Sequence, residues 1–228
     1  MAQTTGAYMA QTKRKGTRVE GPSHVVFGLA GAVVVDSVMH LSGPPLLGFG
    51  VPSVDHLALK AIYFGFAAIG ALAPDIDNAR STIGQQAGLL SKGIQHFAGH
   101  RRLFHSIAGL VLVGVFIWLA QYALGLALYR LGLHTTGSSL GAGLRPGFDL
   151  ASGPGVAFAA FLTGYFLHLV ADSLTLGGVP WLWPSHARFG FPPDRNMRFR
   201  SGSRMEPVVV VAVAVLVIVG IFTGHLLF

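Results

Sequence analysis

Residues 207–228 read PVVVVAVAVLVIVGIFTGHLLF, 22 positions without one Lys, Arg, Asp or Glu. Crossing the hydrocarbon core of a bilayer takes about 20 largely apolar residues in a helix. A charge-free run of this length therefore reads as a spanning helix. Four further stretches have the same character, at residues 24–41, 56–73, 104–131 and 155–176. The first follows Pro22-Ser23, which suits a helix start. The first two are the weaker, because they carry Asp36 and Lys60. The expected fold is all-α, a polytopic membrane helix bundle of about five spanning helices. Composition agrees: 52% of residues are hydrophobic and only 11% charged, where a soluble domain carries about 25% charged residues. The expected organisation is a flexible basic arm, residues 1–22, followed by one membrane-embedded helical domain, residues 23–228.

Charge orients the bundle. With a cytoplasmic N-terminus and five crossings, the inner segments hold 13 of the 16 Lys and Arg residues. Only Lys60, Arg130 and Arg145 fall outside. Such asymmetry is the positive-inside pattern and predicts an inner-membrane, multi-pass protein with its N-terminus in the cytoplasm. The basic residues are dispersed among loops, so the net charge of +7 does not point to nucleic acid. Between the run Lys13-Arg14-Lys15 and the first apolar stretch stand Glu20, Gly21 and Pro22, which argues against a cleaved signal peptide. In the loop 78–99, Ile83, Ala87, Leu90, Ile94 and Phe97 are spaced for a short amphipathic helix on the membrane surface. Trp181 and Trp183 read as interfacial anchors.

On this topology the His and Asp residues converge. His24 opens the first helix. Asp75 and Asp77 follow Pro74 where the second helix returns to the same side. His100 and His105 precede and begin the third, and His168 and Asp172 lie four apart near the end of the fourth. Each group has a plain alternative. Asp75 and Asp77 could cap a turn, His100 and His105 could contact lipid phosphate, His24 could simply start a helix, and His168 and Asp172 could bond to each other. A carboxylate within a spanning segment costs about 2.5–3.5 kcal/mol on insertion scales, however, and so calls for a partner or a function. Asp36 and His40 form a second pair toward the opposite end of the first helix, at least ~18 Å along the axis from His24. They belong to a structural pair or a polar cavity rather than to the same site.

The chain has no cysteine, which excludes disulfides and thiolate metal sites. His and carboxylate donors suit zinc first, with manganese or iron as alternatives. The seven residues His24, Asp75, Asp77, His100, His105, His168 and Asp172 could hold one divalent ion with a free base, or two ions. The matching chemistry is hydrolysis, with Asp75 or Asp77 as the catalytic base. Arg101, Arg102 and Arg200 are candidate phosphate-binding residues. A site at headgroup level favours a membrane lipid or lipid-linked substrate, and a phosphoesterase activity.

These motifs resemble the YdjM-like family of membrane-bound metal-dependent hydrolases (LexA-binding, inner membrane-associated). The resemblance runs through Ser23-His24, Pro74-Asp75-Ile76-Asp77 with Ile83-Gly84-Gln85, Gly99-His100-Arg101 and His105-Ser106. It continues with Gly164-Tyr165, His168, Ala171-Asp172, Leu174-Thr175, Gly178-Val179-Pro180 and Leu182-Trp183-Pro184. It covers residues 24–192, with the last helix beyond it, and implies a metal-dependent hydrolase without naming a substrate. Arg102 and Phe104 stand where the family pattern has Gly and Thr, and Asn78 where a His is common. Two other readings stay open: a metal or proton transporter, favoured by Asp36 and His40, and a structural protein with a stabilising metal.

Overall fold

Every expected apolar run becomes a helix. The computed structural model describes residues 20–39, 54–77, 103–132, 153–200 and 205–222, with Ser81, Gly88 and Ser203. The helices are α1 (Glu20–Met39), α2 (Val54–Leu72), α3 (Ile107–Arg130), α4 (Gly153–Ser173) and α5 (Met205–Phe222). Two 3₁₀ turns, Ala73–Asp77 and Arg195–Met197, complete the regular structure among the described residues. Three helical stretches are long and apolar enough to cross a membrane: Leu57–Ile76, Ile107–Arg130 and Gly153–Ser173. In α1 and α5 the apolar stretches, Pro22–Ser37 and Met205–Val215, are shorter. The amphipathic helix expected at 78–99 lies outside the described residues, Ser81 and Gly88 excepted, as does the arm before Glu20.

Helix α4 is the hub. It packs against α2, α1 and α3, while α1 also touches α2 and α5. Large apolar side chains face outward, among them Val111, Phe116 and Trp118 on α3 and Val208, Val211 and Val215 on α5. Charged and polar side chains face inward, including Asp36, Lys60, Asp75, His105, His168 and Asp172. This inverts the order of a water-soluble protein. It is what a hydrocarbon medium demands, since apolar surface costs nothing there and polar groups must find partners inside.

Without a hydrophobic drive between helices in lipid, close association depends on small residues and van der Waals contact. The α2–α4 crossing shows this directly. A Cβ on Gly70 would strike the Phe161 carbonyl, and one on Gly164 would strike the Ala67 carbonyl. The two backbones therefore touch reciprocally. Ala67, Ala160, Val156, Tyr63 and Ala32 fill the buried core beside that contact. On the α1 side, Gly28 packs against Ala71 and Gly31 against Leu167.

The second polar group has a partner that was not expected. Asp36 pairs with Lys60 of α2, Oδ2 to Nζ 3.0 Å, and both side chains are buried. Lys60 is thus a buried residue of α2, and His40 lies outside the described residues. Their distance of 24 residues in sequence hid this partnership. Breaking a buried pair from one side strands a charge and costs about 3–5 kcal/mol, whereas replacing both members by apolar residues is close to neutral. We expect Lys60→Met to lower the thermal unfolding temperature in detergent strongly, and Asp36→Leu with Lys60→Met to restore most of the loss.

After α4 the chain folds back on itself and closes that helix end. Phe191 N–H donates to the Ser173 carbonyl (2.8 Å), and Thr175 Oγ1 donates to the Asp172 carbonyl (2.8 Å). Val179 and Phe189 exchange backbone hydrogen bonds of 2.8 and 2.9 Å. Gly178 makes this possible, with φ at +59° and its Cα against the Phe189 carbonyl, where a side chain has no room. Trp181, partly buried, packs on the cluster of Tyr165, Leu169 and Val179, while Trp183 remains exposed.

Candidate metal centre

Four chain segments deliver side chains to one end of the bundle. Helix α2 stops at Pro74, which has no N–H to give, either to Gly70 in an α-helical pattern or to Ala71 in a 3₁₀ pattern. The Ala71 carbonyl instead lies 2.7 Å from His168 Nδ1 on α4. A carbonyl only accepts, so the neutral His168 ring carries its proton on Nδ1 and turns a bare Nε2 lone pair inward. This is the arrangement by which a backbone carbonyl orients a metal-ligating histidine.

His105 sits in the turn before α3. Ser106 caps that helix, its Oγ accepting from Gly109 N–H at 3.1 Å and donating to the Leu103 carbonyl at 2.6 Å. Tyr165 Oη donates to the Phe104 carbonyl at 2.5 Å, and Ile107 N–H to the Trp181 carbonyl at 3.1 Å. Phe104 therefore serves this turn through its backbone, which a Thr-to-Phe departure leaves in place. His24, from the first turns of α1, stacks on His168 with ring centres 4.0 Å apart.

The five side chains are enclosed: His168 is 0% exposed, His105 1%, Asp75 2%, Asp172 4% and His24 9%. Their facing atoms form a continuous set. His168 Nε2 is 3.4 Å from His105 Nε2 and 3.9 Å from Asp172 Oδ2. His105 Nε2 is 3.6 Å from Asp172 Oδ2 and 3.7 Å from Asp75 Oδ1, and His24 Nε2 is 3.4 Å from Asp172 Oδ1. These spacings exceed ordinary N–H···O hydrogen bonds of about 2.7–3.2 Å. A tetrahedral ion with ligands at about 2.0–2.1 Å would separate its donor atoms by about 3.3–3.4 Å. The set resolves into two overlapping groups able to hold an ion, His24–His168–Asp172 and Asp75–His105–His168, with His168 in both.

The residues present fit a divalent cation on two further counts. The buried atom Asp75 Oδ1 has no hydrogen-bond partner among the described residues. Two enclosed carboxylates also carry a charge that a dication neutralises, where burial would otherwise be costly.

Of the other expected site residues, Asp77 closes the 3₁₀ turn but its side chain lies outside the described set. His100, Arg101 and Arg102 are outside it as well, and so is Asn78. Arg200 is exposed, directly after Phe199, whose carbonyl accepts from Leu176 N–H at 2.9 Å. Tyr165 and the Ala71 carbonyl were missed as supports of the site. Tyr165 stood one turn before His168, a usable signal, whereas a backbone carbonyl leaves no trace in residue type. Glu206 was missed too: it is 5% exposed at the start of α5 and lines a groove together with His24. Its place just ahead of the valine run could have flagged it.

The profile of the YdjM inner membrane protein family matches residues 19–226. The chain belongs to this family. The match continues past residue 192 and takes in the residues of α5. Inner membrane protein YdjM of Escherichia coli K12 is 33% identical over 126 residues, covering 55% of this chain and 51% of that protein. The Shigella flexneri protein of the same name matches equally, so the chain spans about half the length of these relatives. The Bacillus subtilis protein YvsG, named as uncharacterized, is 27% identical over 158 residues, covering 66% of this chain and 77% of that one. No solved structure matches the chain. Family membership makes this an inner membrane protein, and the geometry of its buried His and Asp groups could hold a metal ion.

Proposed function

We propose that this YdjM-family chain is a metal-dependent hydrolase of the inner membrane, acting at the cytoplasmic face on a phosphoester of a lipid or lipid-linked substrate. The observation that carries the reading is His168, whose Nδ1 is spent on Ala71 and whose Nε2 is shared by both potential ligand groups. Zinc suits this donor set best, with manganese or iron next. A divalent ion held there supplies Lewis acidity and a water acidified toward neutral pH.

The chain's own residues do the rest. Ala71 and Tyr165 fix the two inner histidines before substrate arrives, so no reorganisation is needed during reaction. Asp75, enclosed in a ligand group, is assigned to hold the ion, which leaves Asp77 to take the proton from the attacking water. Phosphorus gains the water oxygen, its bond to the leaving alcohol breaks, and Asp77 returns the proton to that alcohol. Arg200, with Arg101 and Arg102, is assigned to the phosphoryl oxygens. The pairing of Asp36 with Lys60 supplies that carboxylate with a structural partner.

A panel of phosphoesters that includes phospholipids tests the reading on metal-loaded protein. We expect turnover of a lipid phosphoester, with Asp77→Asn retaining metal while kcat falls by about 10²–10⁴-fold. Failure of the loaded wild type to hydrolyse any member would overturn the hydrolase.

A further inference from the structure

Beside the metal centre, at the same end of the bundle, a groove opens between α1, α4 and α5. Its walls are apolar, built from Phe27, Leu174, Phe199, Val209 and Val210. Its polar positions include His24 and Glu206. His24 belongs to both places. Its Nε2 faces Asp172 in the candidate centre, and its buried Nδ1 has no hydrogen-bond partner among the described residues.

The medium outside names the occupant. The groove is framed by the apolar stretches of α1 and α5, and the neighbouring outward residues Val208 and Val211 are exposed. Exposed valines on a helix of this kind face hydrocarbon rather than water. What reaches an apolar slot between two such helices is a lipid chain moving laterally in the bilayer. On the groove's lining, the His24 ring, whose Nε2 is turned to the metal-ligand set, carries its proton on Nδ1, which can donate to a head-group oxygen.

We propose that this groove seats one hydrocarbon chain of a membrane phospholipid, entering between α1 and α5 and placing its ester or phosphate oxygens against His24. The tautomer of His24 rests on the metal-centre reading, whereas chain binding is read without turnover and stands or falls separately.

The test uses the full chain in nanodiscs of phosphatidylglycerol carrying a photoactivatable diazirine on one acyl chain. We expect saturable labelling of peptides bearing Phe27 and Val209–Val210, competed by unlabelled phosphatidylglycerol. The exposed α3 face around Phe116 should label without saturation. In native mass spectrometry Val210→Trp, which fills the groove, should weaken retention of one phosphatidylglycerol at least about tenfold. Val211→Trp, on the exposed face, should retain it as the wild type does, and both should keep the wild-type metal content. Labelling of the groove that does not saturate overturns the proposal, as does unaltered retention in Val210→Trp. Cross-links from the groove to another part of the chain, or to a second copy, also overturn it. Saturable binding without hydrolysis supports the chain site and counts only against the hydrolase.

Discussion

His168→Ala is expected to empty the centre of metal altogether. The residue is the only one shared by both potential ligand groups, and its orientation is set by the Ala71 carbonyl rather than by a side chain that could adjust. Loss of mere supporting partners already costs metal sites about 10–100-fold in affinity, so loss of this ligand should exceed that. His24→Ala and Asp75→Asn each touch only one group. If two ions are bound, each of these variants should keep one while His168→Ala keeps none. With a single ion, His24→Ala and Asp75→Asn should weaken it, and His168→Ala should still remove it. His168→Gln, closer in volume, separates ligand loss from a packing defect. Metal content measured on monodisperse protein decides the matter. Wild-type metal content in both His168 variants would contradict the assignment.

The second large effect lies away from any ligand. Gly164→Ala places a methyl against the Ala67 carbonyl and the Ala71 backbone nitrogen, neither of which can swing aside. Overpacking a core typically costs about 1–3 kcal/mol, and more when backbone must move. The site is four residues along α4 from His168, and the displaced segment of α2 includes Ala71. Stability and metal binding should therefore fall together, with Gly164→Leu the more severe. Thermal unfolding in detergent and metal titration check this. A Gly164→Ala protein with wild-type unfolding temperature and metal affinity would mean the crossing tolerates separation.

These two effects show what the sequence could and could not reveal. The helices were legible, because a charge-poor apolar run has few alternatives to a spanning helix. The convergence of His24, Asp75, His105, His168 and Asp172 at one bundle end was legible too, because alternating crossings set which helix ends are neighbours. Register between helices was not. Lys60 meets Asp36 because α1 and α2 pack at one particular height, and that height depends on glycines whose contacts residue type alone does not show. The packing of Trp181 on the cluster of Tyr165, Leu169 and Val179 was not legible either, because it depends on the fold-back after α4. Glu206 and its groove required the position of α5 against α1, which no local pattern encodes.

The central claim is that five buried side chains hold a divalent metal, and elemental analysis of the purified wild type by plasma mass spectrometry tests it most directly. The account predicts about one or two ions per chain, zinc foremost, retained through gel filtration. A fully folded, monodisperse protein that contains no metal and takes up none on titration would contradict it.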